Sequence, residues 1–190
     1  MTIPLAGADP DSALLERCRA QDPLGLAEVI QRHGDRVYRT LVLIVKDPDD
    51  ARDLAQETFV RFLRSLASFR GESSLKAWLL RIATNLALNR LRDRDRHGSP
   101  LSLDELPEAM VPGAAFGAGP EEVVLRRLEL AEVSAFLEGL SPTLRAVAVL
   151  RFLEELSYED IARSLEIQIG TVRSRLNAVR FAARALFGRR

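Results

Sequence analysis

The sequence predicts an all-α protein: two small helical domains joined by a flexible linker, the C-terminal one containing a helix-turn-helix. Three observations carry this. Apolar residues recur at helical spacing through nearly the whole chain, with no sustained alternation and no Asn-Gly or Asp-Gly hairpin turn. Residues 97–120 have linker composition, from His97-Gly98-Ser99-Pro100 to a Gly/Ala/Pro run ending at Pro120. The C-terminal end has the proportions of a short helix, a turn and a longer basic helix. The domains are accordingly placed at 11–96 and 121–188.

Bulk properties narrow the function. Of 190 residues, 47% are hydrophobic and 28% charged, as in soluble globular proteins. No apolar run approaches the roughly 20 residues that span a bilayer. The N-terminus lacks a basic start followed by an apolar core, so the expectation is a cytoplasmic protein without membrane insertion. A single cysteine, Cys18, makes no internal disulfide, and His33 and His97 stand alone. No metal, no cofactor and no nucleophile–base–acid set is expected, hence no enzyme. The 27 basic and 27 acidic residues cancel, but they are segregated. Lys76, Arg81, Arg90, Arg92, Arg94 and Arg96 make one basic module, and the tail ending in Arg184, Arg189 and Arg190 makes another. Between them, Gly98–Glu122 carries only acidic charges. Two basic modules on an acidic connector suggest two nucleic-acid contacts.

Taken in order, Asp11 or Ser12 caps a helix to about Arg19, and Asp22-Pro23 starts the next. Leu26, Val29, Ile30, Val37, Leu41, Ile44 and Val45 mark a long helix to about Lys46, loosened at Gly34. After the Asp47-Pro48 turn, a helix from Asp49 to about Leu66 starts acidic and ends basic, as the helix dipole favours. Ala51, Leu54, Ala55, Thr58, Phe59, Phe62 and Leu63 face inward. Asp50, Asp53, Gln56, Glu57 and Arg61 are left outside. Asp53 and Glu57 stand one turn apart without a Glu-x-x-His, which reads as an acidic surface for a protein partner or for water.

A Gly/Ser loop, Arg70–Ser74, leads into a helix that ends near Arg96. Its wheel is apolar on two sides. Leu75, Leu79, Ile82 and Leu86 form one, and Leu80, Ala87 and Leu91 the other. The remaining stripe holds Trp78, Arg81, Asn85, Asn89 and Arg92, side chains that stack on bases, pair with phosphates and bond base edges. Alone, such a stripe reads more readily as a solvated face, with Trp78 as core.

Beyond the linker, Val123 to about Leu140 is helical, with Val124, Leu128, Ala131 and Ala135 on one stripe. Ser141-Pro142 starts a helix to about Leu153, and Ser157 caps Tyr158–Leu165, with Asp160 completing a capping box. The last helix runs from Gly170 to Phe187. Val172, Leu176, Val179, Ala183 and Leu186 form its buried stripe, and Arg173, Asn177, Arg180 and Arg184 its exposed face. Its first residues, Gly170, Thr171, Arg173, Ser174 and Arg175, are those that reach base edges in a helix-turn-helix.

In this order the pieces resemble the extracytoplasmic-function sigma factors of bacterial RNA polymerase, over about Leu24–Leu186. Asp50-Ala51-Arg52-Asp53-Leu54-Ala55-Gln56-Glu57-Thr58-Phe59 is similar to the family's polymerase-binding helix. The segment from Phe69-Arg70-Gly71-Glu72-Ser73-Ser74-Leu75-Lys76 through Ala77-Trp78-Leu79-Leu80-Arg81-Ile82-Ala83-Thr84-Asn85 is similar to its promoter-melting segment. Leu156-Ser157-Tyr158-Glu159-Asp160-Ile161-Ala162 with Gly170-Thr171-Val172-Arg173-Ser174-Arg175-Leu176 is similar to its second DNA-binding unit.

The resemblance implies binding to the clamp and flap of core polymerase, with Asp50, Asp53, Leu54, Gln56, Glu57 and Phe59 on the core-binding helix. It implies −10 recognition by Phe69, Arg70, Gly71, Ser73, Ser74, Lys76, Trp78, Arg81, Asn85, Asn89 and Arg92, the loop receiving a flipped base. It implies −35 recognition by Thr171, Arg173, Ser174, Arg175, Asn177, Arg180 and Arg184. It also implies a linker threaded through the polymerase, an anti-sigma factor covering both domains, and a stress or envelope response.

Two positions depart from the family pattern: Glu166 stands where the turn usually has Gly, and Ala178 where a basic residue is common. A left-handed Glu166 costs roughly 1 kcal/mol or more. The alternative reading is a helix-turn-helix regulator with a sensing N-terminal domain, which has no reason to carry the Asp50–Asn85 stretch.

Overall fold

A computed structural model describes residues 11–69, 71, 73–96 and 132–187. The described residues contain helices and no strand. In order they are α1 (Ser12–Arg19), α2 (Pro23–Val45), α3 (Pro48–Ser65) with a 3-10 turn at Leu66–Ser68, and α4 (Leu75–Arg96). Then come α5 (132–139), α6 (Pro142–Ala148), α7 (Tyr158–Leu165) and α8 (Ile169–Phe187). The expected 97–120 linker, Val124, Leu128 and Ala131 lie outside the described residues.

The caps at Asp22 and Ser157 follow the sequence; α3 starts one residue earlier than expected, capped by Asp47, and Asp11 and Ser141 stand at the starts of α1 and α6 without a side-chain cap hydrogen bond. Asp22 accepts from the Leu24 amide at 2.9 Å, and Asp47 accepts from Asp49 and Asp50 at 3.0 Å, each ahead of a Pro at the first helical position. Ser157 accepts from the Asp160 amide at 3.0 Å and donates to its carboxylate at 2.7 Å. Glu166 ends α7 in the left-handed conformation, φ 53° and ψ 43°.

Several expectations are corrected. Helix α2 runs unbroken through Gly34, because buried Val29, His33 and Val37 hold that face against the core and outweigh a glycine cost of about 1 kcal/mol. Asp50 is buried, drawn inward by two arginines of α4. Leu63 is 39% exposed because α3 ends beside the 3-10 turn, where Leu66 takes the inward position. On α5 the buried residue is Leu137, not Ala135, which is exposed. Leu186 is 54% exposed, since α8 there has run past its buried anchors. Helix α6 continues into a π-helical turn, Val149–Leu153, that no periodicity announced.

Helix α4 packs into two clusters, though not as the wheel divided it: Ala87 and Leu91, read as part of the second side, belong to the first cluster. One side joins α1, α2 and α3 around Phe62, Leu41, Ile44, Leu75 and Leu79. The other presents Ala77 and Leu80 to a second cluster made by Val147, Leu150, Leu156, Ile161, Val172 and Leu176. The helix-turn-helix thus sits directly on α4. Leu137, Leu140, Ala146 and Val149 also extend the first cluster into the C-terminal half.

One buried titratable group makes stability pH-dependent. His33 lies in α2 with Nε2 3.7 Å from Asp11 Oδ2. Burial pushes its pKa below 6.5; Asp11 opposes this, and Arg36, Arg32 and Lys76 reinforce it. The fold therefore holds a neutral imidazole, while the unfolded chain takes up a proton near 6.5. As pH falls through that value the unfolded state binds more protons and stability drops. Urea midpoints of wild type are expected to fall more steeply between about pH 7 and pH 5 than those of His33→Gln. Parallel curves would contradict this.

Candidate polymerase and nucleic-acid interfaces

On α3, Asp53 and Gln56 are exposed and Glu57 accepts from Arg61 Nε at 2.7 Å. Leu54 and Phe59 lie behind them in the core. Asp50 belongs to a different set: Arg90 Nη1 stands 2.8 Å and Arg94 Nη2 2.5 Å from its carboxylate. Arg94 also reaches Asp47 at 3.0 Å. The Asp47 carboxyl is held below its usual range, first by the Asp50 amide and then by Arg94. The outward acidic surface is therefore Asp53, Gln56 and Glu57, and Asp50 instead ties α3 to α4.

The loop before α4 contributes Phe69, Gly71, Ser73 and Ser74; Arg70 lies outside the described residues. Gly71 has φ 76°, a conformation that side chains disfavour. Ser74 Oγ accepts from the Ala77 amide at 3.2 Å. Trp78 is only 9% exposed, stacked on Phe69 with centroids 4.2 Å apart and edge-on to Phe62 at 5.1 Å. In this structure Trp78 is core. Lys76 points to the other half, donating to the Glu154 carbonyl at 2.9 Å. Arg81, Asn89 and Arg92 are exposed, with Arg92 bonded to Asn89, and Asn85 is half-buried.

Two clefts flank Arg81. One, of ≈ 360 Å³, is lined by Phe69, Ser73, Trp78 and Arg81 on one wall and by Asp160 and Arg163 of α7 on the other. A second, of ≈ 510 Å³, brings Arg61 and Arg64 of α3 beside Arg81, Asn85 and Glu166. Arg61 and Arg64 widen the basic stripe. The sequence reading left Arg61 merely outward and passed over Arg64, although their i, i+3 spacing marks a shared face.

On α8, Val172, Leu176 and Val179 anchor the helix. Arg173, Ser174, Asn177, Arg180 and Arg184 are exposed, and Thr171 and Arg175 half-buried. Arg180 donates to Asn177 Oδ1 at 3.3 Å and to the Tyr158 hydroxyl at 3.2 Å. A face of three exposed arginines and an amide on the second helix of such a unit suits duplex DNA.

Sigma-70 region 2 matches residues 29–97, and sigma-70 region 4 matches residues 130–180. The RNA polymerase sigma-H factor of Pseudomonas aeruginosa is 35% identical over 183 residues, 92% of either chain. The chain belongs to the extracytoplasmic-function RNA polymerase sigma factors. The ECF sigma factor SigE of Mycolicibacterium smegmatis is 38% identical over 150 residues, covering 79% of this sigma factor and 56% of SigE.

The fold agrees with solved structures. CnrH, in complex with the cytosolic domain of CnrY, superposes with TM-score 0.65 at 24% identity, over 94% of this chain and 97% of that one. The sigma factor RpoE of Bartonella quintana, in complex with the anti-sigma factor NepR, gives 0.64 at 23% identity, over 85% and 96%. Sigma factors are non-enzymatic transcription initiation factors that recognise promoters. The region 2 match covers α3, α4 and most of α2, and the region 4 match covers α5 to most of α8. Among the described residues no helix is long and apolar enough to cross a membrane, and no His, Cys, Asp and Glu group is placed to hold a metal.

Proposed function

We propose that this sigma factor works in the cytoplasm through a unit at 11–96 and a unit at 121–188, joined by the 97–120 linker. The first binds core polymerase through Asp53, Gln56 and Glu57, with Leu54 and Phe59 fixing the helix from behind. It reads the melted −10 strand through the Phe69–Lys76 loop and the Arg81–Asn85–Asn89–Arg92 stripe, widened by Arg61 and Arg64. The second reads −35 duplex through Thr171, Arg173, Ser174, Arg175, Asn177, Arg180 and Arg184. An anti-sigma factor is its regulatory partner, as NepR is for the Bartonella protein, and its regulon serves a stress or envelope response.

The observation that carries this reading is the pairing of two helices that expose arginines, α4 and α8, with an exposed acidic patch on α3 in one chain. No nucleotide-hydrolysing motif is among the residues, so strand opening draws on binding energy: unstacking a base costs a few kcal/mol, which stacking and phosphate contacts offset. In vitro transcription tests it. Core polymerase plus this protein is expected to initiate at specific promoters, and Arg81→Ala to lose open-complex formation, read by permanganate reactivity of −10 thymines. Initiation no better than with core alone sinks the proposal.

A further inference from the structure

Phe181 is the most exposed large apolar side chain among the described residues, at 76%. It belongs to α8, whose anchors are Val172, Leu176 and Val179. At about 100° per residue, Phe181 lies about 180° around the helix from Val172, opposite those anchors. Exposed Ser174, Ala178 and Ala185 share this outer side. Arg173, Asn177, Arg180 and Arg184, all exposed, run along one flank of it. A single exposed apolar residue is ordinary on a protein surface. This one stands on the line of α8 farthest from its own core, the line that the second helix of such a unit turns to the major groove.

The neighbours of Phe181 shape what its ring can meet. A long side chain on a helix leans toward the N-terminus, over the preceding turn. The ring therefore covers the turn that carries Asn177 and Ala178, and alanine leaves it room. Phe181 follows Arg173 by about 12 Å along the axis, close to the roughly 12 Å width of the major groove. The lean of the ring shortens that gap, so both side chains fit one crossing of the groove. Arg180 is held by Asn177 and the Tyr158 hydroxyl in a geometry that suits a phosphate. With Arg180 on a strand's backbone, Phe181, about 100° farther around, turns to the base edges. The apolar group on those edges is the C5-methyl of thymine, and Phe and Ala are side chains that contact it. A basic residue at position 178 would bring charge to this place; Ala178 and Phe181 bring none.

We infer that Phe181, with Ala178 beside it, is a specificity-determining residue that reads thymine methyl groups in the −35 duplex, next to the base pairs met by Arg173. The inference rests on the proposed −35 role of α8. Covering one methyl group is worth about fourfold in affinity.

The test uses the full chain with core polymerase and a promoter duplex that this complex selects from a pool randomised over the −35 region. Each thymine of the selected −35 site is replaced in turn by uracil, which removes the methyl and keeps every hydrogen-bonding group. Wild type is expected to lose about fourfold in affinity at one or two adjacent thymines. Phe181→Ala should bind the thymine duplex as weakly as wild type binds the uracil duplex, and no longer tell the two apart. Phe181→Leu should keep part of the preference. Arg173→Ala should keep the uracil sensitivity while binding more weakly, because it meets other base pairs. A selected site without thymine, wild-type binding indifferent to uracil at every position, or a preference undiminished in Phe181→Ala overturns the inference. So does a Phe181→Ala protein of wild-type helicity that loses core-polymerase binding and keeps the methyl preference, which would make the ring a protein contact. Selection of no −35 sequence at all overturns the −35 reading of α8 together with the inference, a result distinct from selection without methyl sensitivity.

Discussion

Trp78→Ala is expected to lower the unfolding free energy by about 3–5 kcal/mol, the range for deleting a buried aromatic. The ring lies between Phe62 and Phe69, 5.1 Å and 4.2 Å from their centroids, so truncation leaves a hole lined by two aromatics. Phe69 would lose its stacking partner, and with it the support that fixes the loop leading to Gly71. Trp78→Phe keeps most of the contact and is expected to cost well under half as much. Urea unfolding followed by helicity measures both. Trp78 is the chain's one tryptophan, so its fluorescence separates the two roles the sequence left open. A core ring emits to the blue in the native state, shifts red on unfolding, and is little quenched by a single-stranded oligonucleotide. Strong quenching with unchanged unfolding in Trp78→Ala would make it a base-stacking residue instead.

What could be read ahead of the structure was whatever depends on near neighbours in sequence. Asp22-Pro23, Asp47-Pro48 and Ser157 announce helix starts because a cap and its amides lie within three residues. The 4, 3 spacing of Val172, Leu176 and Val179 marks the anchored face of α8; it fades at half-buried Ala183 and is lost at Leu186, where the helix outruns what it packs on. Asp50 shows the limit. On the wheel it borders the polar side, and nothing local says otherwise. Its inward turn depends on Arg90 and Arg94, some forty residues away and on another helix. Only the carboxylate is buried, the arginines staying partly exposed, so the pairs tie α3 to α4 by satisfying a desolvated charge.

Helix α4 shows the same limit at larger scale. Of the residues read as its second apolar side, Ala87 and Leu91 join the N-terminal core, and the helix-turn-helix covers only Leu80, together with Ala77, which neither side had included. The acidic residues that flank it have local roles as well: Asp160 completes the α7 cap and Glu166 ends that helix. Of the two, Glu166 also reaches across to α4, 3.5 Å from Arg81 Nη2, while Asp160 is held within α7 by Ser157 and Arg163.

Arg173→Ala is expected to weaken binding of −35 duplex by about 1–3 kcal/mol, roughly 5- to 150-fold, the value of one bidentate arginine–guanine pairing. Arg173 is exposed one residue after Val172, which is fully buried, so the backbone that carries it is fixed while its guanidinium projects outward. A loss confined to certain base pairs identifies a base-reading residue. Arg180 makes the contrast. Its guanidinium is already held by Asn177 and Tyr158, a geometry that suits a phosphate. Arg180→Ala should therefore weaken all duplexes alike and reduce the salt slope by about one. Fluorescence anisotropy on a −35 duplex and its single-base variants, at two salt concentrations, separates the two patterns. Core polymerase affinity should stay at the wild-type level in Arg173→Ala, because the exposed acidic patch of α3 is untouched. Core binding that fell together with −35 binding would mean that the recognition helix and the polymerase surface are one site, and the division into two reading units would fail.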